Sequence, residues 1–597
     1  MDPESYYRER VFSLQKQLAL FTRRKSLLGW ARLITGCCIL VLAWFLWPFG
    51  LAHVLISSTI LLVIFIRFVF ADLDNNDTIN HCKFLARINE DELKALDHNY
   101  FHFSEGKEFI PHDHFYSNDL DIFGHASLYQ YISRTTSEMG NECLADWLLH
   151  PACSLVVKDR QDAVNELASK PEWLQEIRAL GLEKKILLST RLRLNTWVNE
   201  PNTFQKFAPW KWLRYILPAI ILIIVGLNIF DVLPTRFMNI ALLVYAILAY
   251  SISKRVSPIH QQLSRMVDEL DVLSESIKSI EKKQFGSALL QKLQSAYHQE
   301  KHTASADLQS LKKILERLDL RYNPVVFIPL DVLLLWDLQQ VLDIEKWKQK
   351  TMEKIPGWFD SLGSIEALNS LSTLYFNHPD WAFPVLHEND FYLQGENIGH
   401  PLINKSKRVN NDIKMDESGE IMLVTGSNMA GKSTYLRSVG INVVLAMAGA
   451  PVCAKYFELS PVQLLSSMRV SDNLEENTST FYAELKKLKT IIEKVNNNEK
   501  VFILLDEILR GTNSLDRHTG SKALIRQLIK HNASAILATH DVELAKLAEE
   551  YPSNMLNYHF DVQVSNDELY FDYKLKTGVC TSLNASILMK KIGIEIS

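Results

Sequence analysis

The chain has 597 residues, enough for several domains. Its 47% hydrophobic and 22% charged residues are ordinary for globular proteins and exclude a disordered or collagen-like chain. The net charge of −5 excludes an overall basic footprint for nucleic acid, so any DNA contact requires a local basic patch. The seven cysteines form no C-x-x-C pair, which argues against a disulfide framework or a zinc site.

A long apolar stretch lies near the start of the chain. Leu33–Ile66, which is 34 residues, contains no Asp, Glu, Lys or Arg. One membrane crossing needs about 20 apolar residues, and Pro48-Phe49-Gly50 predicts a turn at the midpoint. We therefore predict two spans, Leu27–Trp47 and Leu51–Phe70, after an N-terminal segment of residues 1–26.

A second apolar pair follows in the middle of the chain. Tyr215–Phe230 and Phe237–Ser253 are charge-free and joined by a short loop. Each segment is shorter than an ideal span, so a hairpin buried in a protein core is the alternative. A third apolar stretch, Val325–Trp336, is interrupted by Pro329 and Asp331, and we interpret it as buried core.

Basic residues flank both apolar pairs, whereas the two connecting turns carry one arginine between them. The flanking residues are Arg23, Arg24, Lys25, Arg32, Lys211, Arg214, Lys254 and Arg255. Positive charge is concentrated on the cytoplasmic side of membrane proteins. We therefore expect a multi-pass protein of the inner, or cytoplasmic, membrane whose soluble parts and both termini are cytoplasmic.

A phosphate-binding motif begins the C-terminal third. The apolar run Ile421–Thr425 predicts a buried strand, GSNMAGKS matches G-x-x-x-x-G-K-[ST], and a helix-like run follows. Lys432 is expected to contact the β- and γ-phosphates of ATP, and the Ser433 hydroxyl to ligate Mg²⁺. The predicted ATP-binding residues are Gly426, Ser427, Asn428, Met429, Ala430, Gly431, Lys432, Ser433 and Thr434.

Two further strands predict the catalytic partners of this loop. Val501–Glu507 ends in Asp506, suited to holding Mg²⁺, and in Glu507, suited to polarising the attacking water. The run ASAILATH ends in His540, which is placed to sense the γ-phosphate. Glu507, Lys432 and His540 are therefore the predicted catalytic residues, with Ser433 and Asp506 as metal ligands and with ATP and Mg²⁺ as cofactors.

Four motifs in this order resemble the ATPase domain of the MutS family of DNA mismatch-repair proteins. They are TGSNMAGKSTYLR, STFYAEL, LLDEILRGTNSLD and ATHDVELA. The Asn428-Met429 pair and the R-G-T after the acidic pair are typical of that family, and the terminal YKLKTGVCTSLNASILMKKIGI resembles its closing strand and helix. Upstream, Leu120–Pro151, Arg160–Leu167 and Gly399–Ile403 extend the resemblance into a helical core domain.

The resemblance implies a homodimer in which each ATP site is completed by the partner subunit. Ser479 would contact the partner's γ-phosphate, with Glu484 bracing its loop. Asn513 and Asp516 would lie at the dimer seam near both nucleotides. It also implies long helices that carry the motion of the ATPase dimer to the rest of the molecule.

The sequence departs from the family in two places. The first apolar pair occupies much of the length before Leu120, so we expect no mismatch-reading domain there, and the second pair interrupts the helical core. Residues 254–321 carry 12 basic and 9 acidic residues, which indicates a solvated helical surface and not a DNA-binding stripe. We expect any contact with DNA to be independent of mismatches. We also expect a protein partner, whose identity the sequence does not give.

The predicted fold class is an α/β P-loop NTPase domain of the ABC-like, MutS type with a mainly parallel sheet, after an all-helical core with four transmembrane helices. The predicted domains are a hairpin at 27–70, helical core at 74–210, a hairpin at 213–253, lever-like core at 254–385 and ATPase domain at 386–597. The leading function is a membrane-anchored ATPase whose dimer closure moves helical levers.

Two alternative functions remain open at this stage. An ABC-like ATPase driving transport or remodelling is disfavoured because no L-S-G-G-Q signature occurs, and His53 is the only ionisable residue within Leu33–Ile66. A non-catalytic, nucleotide-binding scaffold is disfavoured because Lys432, Ser433, Asp506 and Glu507 are all present.

Overall fold

The computed structural model describes residues 2–202, 204, 209–298, 302–388, 391–427, 430–469, 480–565 and 568–580. Within these ranges a mostly helical part precedes an α/β part, as the sequence predicts. The predicted domain boundaries themselves stay predictions.

The first apolar pair forms a long helical hairpin. Helix α1 (Pro3–Leu46) and helix α2 (Leu51–Leu96) are joined by a 3-10 turn at Trp47–Phe49, and Gly50 has a φ of 105°. The predicted turn is confirmed. Both helices continue past the predicted apolar limits at residues 26 and 70, so the apolar tip and a polar stem (residues 3–26 and 71–96) share the same two helices.

Polar contacts hold the stem of this hairpin together and attach it to the helical core. Asn75 donates to the Phe21 carbonyl at 3.0 Å, and where the stem meets the apolar tip Arg32 pairs with Asp72 at 3.0 Å. At the base of the stem, the buried Tyr7 hydroxyl donates to the Asn377 side chain at 2.7 Å. The apolar tip is instead exposed, with large side chains such as Trp44 80% accessible.

The helices of the core precede and follow the second apolar pair in the sequence. Helices α3–α7 span Leu128–Ile132, Glu138–Leu149, Ser154–Ala168, Pro171–Glu183 and Leu188–Asn199. The second pair is α8 (Trp210–Ile229) and α9 (Thr235–Ser264), and α9 continues through Pro258. Helices α10–α15 span Val267–Lys282, Ala288–Ser295, Ala304–Leu318, Pro324–Leu334, Trp336–Thr351 and Ile355–Asn377.

Four of the described helices, α1, α2, α8 and α9, are long and apolar enough to cross a membrane, and a fifth crossing arises only if the bent pair α13–α14 is counted as one. The α8–α9 pair is not buried in a protein core, since Ile223, Leu243 and Ile247 are each more than 60% exposed. The alternative of a buried core hairpin is therefore wrong for this segment.

The interpretation of Val325–Trp336 as buried core is also wrong. Within α13, Asp331 is the one buried residue, while Val325 is 84% and Ile328 57% exposed. Leu335 adopts a left-handed conformation (φ 49°) after α13, and α13 and α14 meet at an angle of 77°. The bend turns α14 into the protein core and leaves α13 outside.

The α/β part contains a six-stranded, mainly parallel sheet. Its order is β10-β9-β4-β8-β7-β6, and only β10 runs antiparallel to its neighbour. A four-stranded sheet of order β1-β5-β2-β3, which the sequence did not predict, lies beside it. Strands β1–β5 span Val385–Leu386, Leu393–Ile398, Asn411–Met415, Ile421–Thr425 and Tyr456–Leu459; β6–β10 span Gln463–Ser467, Val501–Asp506, Ser534–Thr539, Met555–Ser565 and Glu568–Thr577.

Helices α16–α19 of this part span Lys432–Ala448, Thr480–Asn496, Ser514–Lys530 and Leu547–Glu550. Helix α16 joins the two parts of the molecule, because it packs against α4 and α5 of the helical core. The Arg160 guanidinium donates to the Ala448 carbonyl at 3.2 Å, and the Ala152 amide to the Met447 carbonyl at 3.2 Å. One continuous hydrophobic core therefore extends from the helical part into the sheet.

Candidate active site

The predicted phosphate-binding loop connects the end of β4 to the start of α16. Gly426 has a φ of 147°, and a Cβ atom there would lie 2.8 Å from the Phe560 carbonyl oxygen, so the position requires glycine. Gly431 has a φ of 108° directly before α16. Strand, glycine loop and helix follow one another as predicted. Ser427 and Ala430 lie in the loop, and Thr434 lies in the first turn of α16. Asn428 and Met429 lie outside the described residues.

Lys432 is held inside this loop. Its side chain is buried, and Nζ donates to the carbonyl oxygens of Gly426 at 2.7 Å and Ser427 at 3.0 Å. Burial lowers the pKa of Lys432, and the nearby carboxylates of Glu507 and Asp506 oppose that shift. In this structure the Lys432 ammonium is therefore satisfied by carbonyl oxygens of its own loop, beside the two acids.

Asp506 ends β7 opposite the loop. Its carboxyl is buried, which raises its pKa, while a hydrogen bond with the Ser433 side chain lowers it. The Oδ1 atom is buried and has no hydrogen-bond partner among the described residues. A buried carboxylate oxygen without a partner, next to a hydroxyl, fits Mg²⁺, which takes few protein ligands and keeps several waters. Ser433 and Asp506 would hold the ion.

Glu507 follows Asp506 in a left-handed backbone conformation, with a φ of 52°. Its amide donates to the Ala538 carbonyl at 2.9 Å, which fixes this conformation beside β8. The Glu507 Oε1 atom lies 3.7 Å from Nδ1 of His540, and Oε2 lies 3.4 Å from Nε of Arg510. The structure therefore brings Glu507 and His540 together, and it adds Arg510, which was not among the predicted site residues.

The residues predicted to contact a partner subunit differ in exposure. Asn513 and Asp516 are exposed at the start of α18, where the Asn513 side chain accepts from the Asp516 amide at 2.8 Å and caps the helix. Glu484 is buried, and its carboxylate accepts from the Leu509 amide. Glu484 thus braces the loop after Glu507 within its own chain, and its predicted place in the partner subunit's ATP contact stays a prediction. Ser479 lies outside the described residues.

A cavity of about 550 Å³ opens beside the loop. One wall is formed by Ser427, Gly431–Tyr435 and Glu507, and the other by residues absent from the predicted site: His400, Ile403, Lys407, Arg408, Asn411 and Tyr573. The volume is typical of sites for small ligands. In the sequence, the segment Gly399–Ile403 indicates only the approach to this domain. The basic pair Lys407-Arg408 shortly after it is the one further sequence feature that could have pointed to the second wall.

His400 on the second wall is fixed and uncharged. The Asn442 side chain of α16 donates to the Gly399 carbonyl at 2.9 Å, which ties the segment to the helix. Burial and the nearby Arg437 guanidinium lower the pKa of His400 to about 4. The second wall therefore combines a neutral imidazole with the cationic side chains of Lys407 and Arg408, a mixture suited to a ligand with an aromatic part and an anionic part.

Comparison with known proteins accounts for this geometry. Residues 422–591 match the family described as MutS domain V, and the match covers the phosphate-binding loop, both acids and His540. The chain carries a MutS domain V. This domain lies C-terminal to the mostly helical part, as the predicted fold class required.

Relatives extend the similarity beyond the domain. The chain is 27% identical over 496 residues to the DNA mismatch repair protein MutS of Aquifex pyrophilus, covering 76% of this chain and 56% of the relative. It is 26% identical over 505 residues to the MutS protein of Thermotoga petrophila, covering 79% of this chain and 61% of the relative. The human MutS protein homolog 4 is 34% identical over 196 residues, 31% of this chain and 20% of the relative. The chain thus spans less than two thirds of the length of each.

Proposed function

We propose that this protein is a Mg²⁺-dependent ATP hydrolase built on its MutS domain V and anchored in a membrane by its two apolar hairpins. The observation that carries the proposal is the cavity where Lys432, Ser433 and Glu507 meet, with Asp506 directly behind Ser433. These groups have the chemistry that phosphoryl transfer needs: a cation for the phosphates, ligands for Mg²⁺ and a base for water.

Each residue has a distinct role in the proposed reaction. Lys432 exchanges the Gly426 and Ser427 carbonyls for β- and γ-phosphate oxygens when ATP binds. Ser433 and Asp506 would hold Mg²⁺, which would supply positive charge against the phosphates. Glu507 orients and polarises the attacking water, and His540, 3.7 Å from Glu507, senses the γ-phosphate. Lys407 and Arg408 on the opposite wall add positive charge to the cavity.

Replacement of the base tests this proposal. We expect Glu507→Gln to lower phosphate release by about 10²-fold or more, because a positioned general base contributes that much, while ATP still binds. The measurement is steady-state phosphate release by the protein in phospholipid vesicles. Glu543→Gln, on a 64% exposed side chain, is the matched control and retains activity. Equal release from wild type and Glu507→Gln would favour the alternative of a nucleotide-binding scaffold.

We also propose that the protein acts as a homodimer that ATP closes. Asn513 and Asp516 are exposed beside the catalytic residues, where a second subunit has access to them. The packing of α16 on α4, and of α4 on α15, supplies a route by which closure would move the helical core. Transport is not favoured, because the exposed faces of the predicted spans are apolar.

DNA binding is a second function worth testing, because the relatives from Aquifex and Thermotoga are DNA mismatch repair proteins by name. We expect binding that is weak, salt-sensitive and the same for matched and mismatched duplexes, since the contacts would be to phosphates. Fluorescence anisotropy with paired duplexes at several salt concentrations measures this. A tenfold preference for the mismatched duplex would show instead that the protein reads mismatches.

A further inference from the structure

Helix α13 presents an apolar surface that the described residues leave uncovered. Val325 is 84%, Ile328 57% and Val326 41% exposed, and no charged residue occurs from Tyr322 to Leu330. Burying apolar surface is worth about 25 cal/mol per Å². Three adjacent branched side chains on an 11-residue helix therefore indicate that another apolar phase covers this face.

The position of α13 indicates which apolar phase would cover this face. The helix packs against α8 and α9, the two helices of the second apolar hairpin. Just before α13 begins, Arg321 donates to the Ser253 carbonyl at 3.1 Å and to its hydroxyl at 2.7 Å. Ser253 is the residue at which the predicted fourth span ends, so the start of α13 lies level with that end.

The far end of α13 returns to the same level. Soon after the 77° bend, Gln339 and Asp343 of α14 contact Arg214, which precedes the predicted third span. Both ends of the helix are therefore tied to the basic flanks of the hairpin. An 11-residue helix is only about 16 Å long, and α14 beyond the bend is buried in protein. For the described residues, these features argue against a full fifth crossing by α13 and α14.

The polar groups of α13 face the protein or its ends. Asp331, the single acid, is 4% exposed and accepts from the Asp337 amide at 3.0 Å, which supports the start of α14. Tyr322, 72% exposed, stands just before the helix. Exposed aromatic residues at such ends are typical of the boundary between headgroups and acyl chains.

We propose that α13 is an interfacial helix that lies in the cytoplasmic headgroup region, with Val325, Val326 and Ile328 inserted among phospholipid acyl chains. Helices of this kind lie in the plane of the membrane, with one face buried about 5–10 Å. The proposal rests on the membrane anchoring proposed above for α8 and α9. Because α14 follows directly into the core, α13 sets the depth at which the helical core meets the bilayer.

Photo-crosslinking to lipid tests the proposal. The photoreactive residue p-benzoylphenylalanine replaces Val325 or Ile328 in the full-length protein, reconstituted in vesicles of phosphatidylethanolamine and phosphatidylglycerol. Ile223 of α8, 61% exposed, is the matched site within a predicted span, and Leu155 of α5, 70% exposed, is the matched site away from both hairpins. All four sites are exposed, so the variants are expected to fold. Mass spectrometry identifies each adduct.

We expect lipid adducts at positions 325, 328 and 223, several-fold above the yield at 155. Adducts at 223 with none at 325 and 328, or yields at 325 and 328 equal to that at 155, would overturn the interfacial helix but leave the anchoring intact. Protein adducts in place of lipid at 325 and 328 would show that a partner subunit covers α13. Absence of lipid adducts at 223 as well would overturn both the helix assignment and the anchoring.

Discussion

At the scale of single residues, the burial of Asp506, the proposed metal ligand, destabilises the fold around it. Asp506 is 7% exposed, and within the part of the chain that the structure describes one of its carboxyl oxygens has no hydrogen-bond partner. Because burial raises its pKa, the folded protein binds this proton more tightly than the unfolded chain does. The stability of the protein therefore falls as pH rises from below the ordinary carboxyl pKa through the raised one.

Asp506→Asn is consequently expected to have opposite effects on stability and activity. Without bound nucleotide and metal, the variant should unfold at a higher temperature than wild type at neutral pH. Its free energy of unfolding should rise by about 0.5–2 kcal/mol, which is common for stabilising changes of this kind. Its Mg²⁺-dependent phosphate release should fall at least tenfold. Thermal melts from acid to neutral pH check the stability: the difference from wild type should widen as pH rises and then level off. Asp268→Asn, 78% exposed, is the control and shows no such trend.

At the scale of helices and strands, a buried ion-pair cluster joins the first hairpin to the core. Glu92 of α2 is 1% exposed and accepts from Arg178 of α6 at 2.6 Å and from Arg134 at 2.5 Å and 3.0 Å. Asn377, at the end of α15, donates to the same carboxylate at 3.0 Å. One side chain therefore connects the stem of the hairpin to the helix that packs on α4.

Glu92→Gln should destabilise the protein strongly, because it leaves two arginines buried without their counter-charge. Loss of one partner from a buried pair costs about 3–5 kcal/mol. Differential scanning calorimetry of the detergent-solubilised protein measures the effect. Glu90→Gln, two residues earlier on the exposed face of the same helix, is the matched control and should melt as wild type does. Equal melting temperatures for both variants would mean that the cluster does not hold the hairpin.

Local patterns predicted the elements whose causes are local. The charge-free runs around Pro48-Phe49-Gly50 and the glycines at 426 and 431 specify a hairpin and a phosphate loop by themselves. Glu92 looks like a solvated acid in the sequence, because its partners are brought to it only by the fold. The same holds for the wall of the cavity, where His400 and Arg408 of the loop between β2 and β3 meet Tyr573 of β10. For α13, hydropathy alone did not distinguish an exposed apolar surface from a buried core.

At the scale of the whole molecule, the continuity of α1 and α2 couples any membrane anchor rigidly to the helical core. A 44-residue helix is about 66 Å long, and its final 20 residues match a hydrocarbon core of about 30 Å. The polar stem makes up the remaining length of the helix, and it should lie on the same side of the membrane as the basic residues that flank the spans. The turns at residues 47–50 and 231–234 should therefore lie on the opposite face of the membrane from the MutS domain V.

Cysteine labelling with a membrane-impermeant maleimide measures this topology. We expect Phe49→Cys and Val232→Cys, at positions 65% and 67% exposed, to react in cells whose outer envelope is removed and whose cytoplasmic membrane is intact. The exposed natural Cys153 should react only in inverted vesicles, and wild type gives the baseline for the other natural cysteines. Reaction of the turns and Cys153 from the same side would mean that the hairpins do not cross. Such a result would place the ATPase beside a membrane surface and not on a transmembrane anchor.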